Sequence, residues 1–131
     1  MSIWGHRVSA RLIATVVAIV MLGVFAVALT RPVPREITLV ARGMAFYVDG
    51  SDVPNPTLTL KSGERVRVVL RNEDRGIMHD FAVPSMHAAL ATIGWNDSAD
   101  VTFEAPRAPG TYEYVCHPHM LMMHGNIVVQ D

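Results

Sequence analysis

The chain of 131 residues has one cysteine and no second. No disulfide can form within it, and structural zinc, which normally takes two or more Cys in a C-x-x-C spacing, has no framework here. Positive charge is also in short supply: 11 Lys and Arg stand against 12 Asp and Glu, a formal net charge of -1. No basic stripe is therefore available to neutralise nucleic-acid phosphates. The sequence shows no acid/base dyad, nucleophile triad, phosphate-cradling glycine loop, internal repeat or low-complexity segment. Beyond residue 30 helical periodicity is missing too, apart from a turn near His87 to Thr92.

A long uncharged run is present at the N-terminus. From Leu12 to Leu29 there is neither charge nor proline, with His6, Arg7 and Arg11 ahead and Arg31-Pro32-Val33-Pro34-Arg35 behind. Eighteen apolar residues lie at the lower edge of what spans a bilayer and exceed the usual signal-peptide core, which favours an uncleaved transmembrane anchor. Ala26-Val27-Ala28 reads as a small-x-small cleavage site, so a removed signal helix is the alternative. Either way the leading basic residues stay inside and the remainder lies on the periplasmic or extracellular side. The expected organisation is an anchor or signal segment over 1–30, a Pro-containing linker over 31–35 in which helix cannot propagate, and one domain over 36–131. About 100 residues suffice for a single small core.

That domain reads as β. Apolar and polar residues alternate in Thr57-Leu58-Thr59-Leu60-Lys61 and in Arg65-Val66-Arg67-Val68-Val69-Leu70-Arg71 with the period of half-buried strands. Further short runs fall at Glu36–Ala41, Met44–Val48, Ile77–Val83, Val101–Glu104, Thr111–Val115 and Asn126–Gln130. Lys61-Ser62-Gly63-Glu64 predicts a tight hairpin-like turn, and Pro109-Gly110 the start of the strand that leads to Cys116. Seven or eight short strands in so small a domain predict a β-sandwich.

Against this plain background one segment is chemically dense. Cys116 to His124 packs one thiol, three imidazoles (His117, His119, His124) and three thioethers (Met120, Met122, Met123) into nine residues. Thiolate with two imidazoles and a weak further donor selects copper and, in trigonal geometry, tunes it for one-electron transfer. Cys116 ends a strand, and His119 and His124 lie on the loop before the last strand. A donor from elsewhere must lock the site, and His79, after the turn-rich Asn72-Glu73-Asp74-Arg75-Gly76, is the candidate.

Over residues 36 to 131 the sequence resembles the cupredoxins, the small blue copper proteins. Their pattern is an upstream His, then Tyr-x-Cys-x-Pro-His, an axial ligand and Gly; here it is met by His79, Tyr114-Val115-Cys116-His117-Pro118-His119 and Gly125. The resemblance implies an all-β Greek-key β-sandwich holding one Cu(I)/Cu(II) per chain through His79, Cys116 and His119. At the axial position plastocyanin-like and pseudoazurin-like members have Met eight residues after the Cys, where this chain has His124. A Cys with His three and eight residues later is similar to the loop of nitrosocyanin, the red copper member. His124 is therefore the expected fourth ligand, imidazole outcompeting thioether for Cu(II), with Met123 or Met122 as the alternative that would give a blue site.

The other conspicuous side chains have ordinary roles to fill. His117 is expected to project to solvent and His87 to sit on a surface loop. Met120, Met122 and Met123 suit an apolar rim for transient docking, with Cu(I) capture as the sharper alternative. Met78, Trp95 and Tyr112 read as packing, and Asp80 as a hydrogen-bonding residue between the two ligand loops. Pro118 has no N–H to offer the Cys116 sulfur, which keeps the thiolate electron-rich. Together these features predict a membrane-tethered one-electron carrier, not an enzyme, that meets redox partner proteins such as respiratory or photosynthetic complexes. A small-molecule-binding red copper enzyme and a copper trafficking or storage protein are the alternatives. A two-copper oxidase-type centre needs two bridging cysteines and is excluded.

Overall fold

The computed structural model describes residues 9–29 and 32–131, with side chains of the first stretch described as far as Val24. The chain divides between Pro32 and Val33 into two units. In the first, α1 (Ala10–Leu29) is a 20-residue helix, and its large apolar side chains between Leu12 and Val24 are exposed. Among the described residues no helix is long and apolar enough to cross a membrane, so the expected spanning segment is met only as far as the helix itself. Of the leading basic residues that orient it, His6 and Arg7 lie outside the described residues.

The second unit is all β apart from single helical turns. Its strands are β1 (Arg35–Arg42), β2 (Ala45–Val48), β3 (Leu58–Lys61), β4 (Arg65–Asn72), β5 (Ala82–Val83), β6 (Ala88–Ala89), β7 (Ser98–Glu104), β8 (Gly110–Val115) and β9 (His124–Gln130). They form two sheets, ordered β2-β1-β4-β7 and β3-β9-β8-β5-β6. Both sheets are mixed, because β1 runs parallel to β4 and β3 parallel to β9. The expected sandwich is therefore present.

The alternation legible in β3 and β4 decides which face is buried: Leu58, Leu60, Val66, Val68 and Leu70 turn inward. They meet Leu39, Phe46, Phe81, Tyr114, Ile127 and Val129 in one core. Each such side chain gains about 1.5–3 kcal/mol from full burial. Phe46, Phe81 and Tyr114 form an aromatic trio with ring centroids 5.5 to 5.9 Å apart.

Three local expectations are corrected. Lys61 to Glu64 is a tight turn, with the Glu64 N–H donating to the Lys61 carbonyl at 3.0 Å, but it is not a hairpin: β3 and β4 belong to different sheets. The register of β3 is set by its parallel partner β9 instead. The strand expected over Ile77–Val83 shrinks to Ala82–Val83, with His79 forming an isolated bridge to Ile93. Near His87 there is no helical run. A single turn, Pro84–Met86, closes on His87 in the left-handed region (φ 50°), and β6 follows. The pairing Ala82↔Val115 matters most for what comes next, since it lays the segment after His79 beside the end of β8.

Candidate metal centre

His79 is delivered by a segment that begins at the last residue of β4. Asn72 is fully buried, and its amide ties the segment to itself and to Ile93: Nδ2 donates to the carbonyls of Ile77 (2.8 Å) and Ile93 (3.0 Å), and Oδ1 accepts from the Asp74 N–H (2.8 Å). His79 and Ile93 then exchange backbone hydrogen bonds in both directions, at 3.1 and 2.8 Å. The imidazole is turned fully inside.

Its Nε2 lies 2.9 Å from Asp74 Oδ2, and Asp74 also accepts the N–H groups of Gly43 (2.7 Å) and Met44 (3.2 Å). Burial pushes the Asp74 carboxyl up, but the donors from Gly43, Met44 and His79 outweigh it and hold the group below its ordinary value. A carboxylate can only accept, so Nε2 carries the proton and the Nδ1 lone pair is free for a metal.

Cys116 follows β8 and is fully buried. Its N–H donates to the Met123 carbonyl at 2.9 Å, closing the ligand loop at its base. Burial pushes the thiol pKa up, with the Asp80 carboxylate adding to the rise and the backbone N–H groups of Asp80 and His119 opposing it. Pro118 stands in the first turn of the short helix His117–His119, where its fixed φ suits the geometry and its missing N–H costs nothing. That turn brings His119 back over the cysteine, its N–H donating to the Cys116 carbonyl at 3.0 Å.

The result is a convergent donor set. Cys116 Sγ lies 3.8 Å from His79 Nδ1 and 3.6 Å from His119 Nδ1, and the three donor atoms all lie within 4.8 Å of one another. Bonds of about 2.0–2.3 Å from N and S donors to one ion place neighbouring donors within about 4.5 Å, a limit both sulfur–nitrogen separations meet. His79 is buried and His119 only partly so, which leaves one imidazole edge accessible.

His124 stands outside this group. It opens β9, where Ile127 and Val129 face the core and the intervening residues face out. Strand alternation therefore turns His124 outward and Met123, one residue earlier, inward. The His124 side chain is 50% exposed with Nδ1 3.4 Å from Glu113 Oε1. Met123 is fully buried in the same cluster as Cys116, whereas Met122 is 55% exposed.

Asp80 does bridge the two ligand segments. Its N–H donates to Cys116 Sγ (3.5 Å), while its carboxylate accepts the His117 N–H (2.7 Å) and lies 3.0 Å from His117 Nδ1. His117, half exposed, is thus tethered rather than free. His87 is exposed as expected. Trp95 is 49% exposed, with the Arg75 guanidinium 4.3 Å above its ring. Gly125 sits opposite Tyr114 in the β8–β9 ladder, and a Cβ there would collide with the Tyr114 ring and hydroxyl. That hydroxyl donates to the Pro56 carbonyl at 2.6 Å. Asn72 and Asp74, which hold His79 in place, were legible only as turn formers, because the backbone donors of Gly43 and Met44 that fix Asp74 lie about thirty residues upstream.

Fold and site together define a class. Residues 16–129 match the cupredoxin-like domain family, and the chain belongs to it. No curated protein sequence matches significantly. Among solved structures it is similar to auracyanin from Roseiflexus castenholzii, with 20% identity, 76% of this chain and 100% of that one covered, and a TM-score of 0.62. It is likewise similar to auracyanin A, a "blue" copper protein of Chloroflexus aurantiacus (23% identity, 75% and 100% covered, TM-score 0.60). Rusticyanin from Thiobacillus ferrooxidans gives 27% identity over 72% of this chain and 76% of that one, with a TM-score of 0.53. The donors present fit the copper of the family: one buried thiolate and two imidazoles meet at a single point, room for one copper per chain.

Proposed function

We propose that this chain is a one-electron carrier whose copper is held by His79 Nδ1, Cys116 Sγ and His119 Nδ1, with the Met123 thioether as the weak axial donor. The observation that carries the reading is the convergence of those three atoms, with the His79 and Cys116 side chains fully buried and His119 partly so. The copper supplies reversible one-electron chemistry. What the chain supplies is constancy: Asp74 fixes the His79 ring, the Asp80 N–H points at the sulfur, and the sandwich leaves the donors little freedom to rearrange. The outward turn of His124 supports Met123 over the Cys-plus-three-His arrangement of a red copper enzyme. The exposed edge of His119, with Met120, Leu121 and Met122 exposed beside it, supports a small and brief contact with redox partner proteins.

In this reading the domain is tethered by α1 on the periplasmic or extracellular side of the membrane. The uncharged run Leu12 to Leu29 behind His6, Arg7 and Arg11 supports it. Tethering raises the effective concentration of the domain beside membrane complexes. Optical and electron paramagnetic resonance spectra of the full chain loaded with one Cu(II) test the site. The expected result is an intense sulfur-to-copper band, altered in Met123→Leu and unaltered in His124→Ala. A spectrum altered only in His124→Ala would instead establish the three-histidine site, and uptake of more than one copper per chain would favour trafficking. Recovery of the chain from a membrane fraction with its domain open to externally added protease tests the tether.

A further inference from the structure

The connection between β2 and β3 passes close to the ligand loop, and one residue in it makes bonds that a mere linker does not need. Asn55 has φ 47°, in the left-handed region that Asn tolerates better than most residues. Its N–H donates to the Phe46 carbonyl at 2.7 Å, and its side-chain Oδ1 accepts the Phe46 N–H at 3.1 Å. With Oδ1 so engaged, Nδ2 points the other way and donates to the Met122 carbonyl at 2.8 Å. The amide orientation is fixed at both ends, since a backbone N–H can only donate and a backbone carbonyl only accept.

The carbonyl that Asn55 holds belongs to the peptide joining Met122 to Met123. The carbonyl on the other side of Met123 accepts the Cys116 N–H at 2.9 Å, and the Met123 N–H donates to the His119 carbonyl at 2.9 Å. Met123 is thus pinned before and after its own Cα, once from the cysteine and once from a loop nearly seventy residues away in sequence. Phe46, the residue on which Asn55 is braced, lies in the same buried cluster as Met123 and Cys116. The neighbouring Pro56 carbonyl takes the Tyr114 hydroxyl, so the support is itself anchored to β8.

We infer that Asn55 is a positioning residue that sets how the Met123 thioether is presented to the metal. It rests on the reading of Met123 as axial donor. The axial contact of such sites is long and weak, so its placement tunes the potential without deciding whether copper binds. Asn55→Asp is the sharpest probe: the shape and the acceptor for Phe46 remain, while the donor to Met122 is replaced by an oxygen that repels the carbonyl.

The test uses the full chain with one copper and compares wild type, Asn55→Asp, Met123→Leu and the double variant by optical spectrum, electron paramagnetic resonance and reduction potential, alongside melting of the apoproteins. Asn55→Asp is expected to bind one copper, to move spectrum and potential, and to cause no further movement once Met123 is Leu. Asn55→Gly keeps the left-handed backbone and replaces the probe if Asn55→Asp does not fold. A Met123→Leu protein indistinguishable from wild type overturns the axial reading. Movement in Met123→Leu with none in either Asn55 variant, or an Asn55 effect that persists in the Met123→Leu background, overturns the inference while leaving that reading intact.

Discussion

The segment that delivers His79 and the loop that delivers His119 address the same sulfur, yet the chain builds them differently. Upstream, every support is buried or nearly so: Asn72 binds its own segment at two points and Ile93 at a third, Asp74 holds Nε2, and the backbone bridge to Ile93 closes behind the ring. Downstream, the loop is held by the Cys116–Met123 bond, by Asp80 at His117 and by Asn55 at the Met122 carbonyl, while the side chains of its crest, Met120, Leu121 and Met122, stand in solvent. One half of the site supplies rigidity and the other access. In the proposed carrier, fixed donors would reduce rearrangement on electron exchange, and an apolar exposed crest would suit an encounter that must end quickly.

The strongest way to break this contrast is at Met123, the one loop methionine that belongs to the core. Met123→Ala leaves a cavity in the cluster around Cys116 and is expected to cost about 2–5 kcal/mol, read as a lower denaturant midpoint of the apoprotein at unchanged slope. A cost near zero would mean that the ligand loop folds back independently of the core.

Next in size is Asp74→Ala, which strips a partner from the Gly43 and Met44 N–H groups and from His79 Nε2. The expected loss is on the order of 2–4 kcal/mol. Its pH dependence has a definite sign. The folded-state pKa of Asp74 is depressed, so its contribution is complete above the ordinary carboxyl value of about 3.9 and is lost as pH falls through the folded value. The stability gap between wild type and Asp74→Ala should therefore narrow on acidification. A gap that stays constant to low pH would show that the carboxylate charge plays no part.

Tyr114→Phe removes a single hydrogen bond, from the hydroxyl to the Pro56 carbonyl, and keeps the ring in its aromatic trio. About 1 kcal/mol is expected. Gly125→Ala reaches the same tyrosine from the opposite strand, by collision instead of deletion, and is expected to cost about 1–3 kcal/mol. If Tyr114 is the element being displaced, the two losses are not additive, and a double variant measured by the same unfolding titration decides it.

How much of this was legible in the sequence follows from which interactions are local. Cys116, His117, Pro118 and His119 lie on consecutive residues, and thiol with imidazole is a rare donor combination, so the core of the site could be read directly. His79 was legible as the only histidine placed to open an apolar segment after a turn. The pairing of β3 with β9 was hidden, because a turn such as Lys61 to Glu64 looks the same whether the strands it joins share a sheet or face each other across the core. At the proposed axial position, spacing from the cysteine points to His124 while strand period points to Met123. Ile127 and Val129 face inward, and stepping back by twos reaches Met123, so the information was present in the final strand. Asp74 and Asn55 were beyond reach. Their partners, Gly43, Met44 and Met122, become neighbours only after the sandwich closes.

The smallest effect is the most discriminating. Met122 neighbours Met123, carries the same side chain and hangs on the same loop, but it lies on the exposed crest. Its engagements are those of its backbone, the N–H donating to the His119 carbonyl at 2.9 Å and the carbonyl accepting from Asn55, and Met122→Ala retains both. Its stability should change by no more than about 0.5 kcal/mol, and the optical spectrum of the copper-loaded chain should not move. The rate of electron exchange with a partner protein should fall, since the crest loses apolar contact area while the site behind it is untouched. A slowed exchange at constant spectrum would separate access from rigidity within two adjacent residues; a shifted spectrum would show that the crest and the site are mechanically one, and that the contrast between the two halves is weaker than their burial makes it.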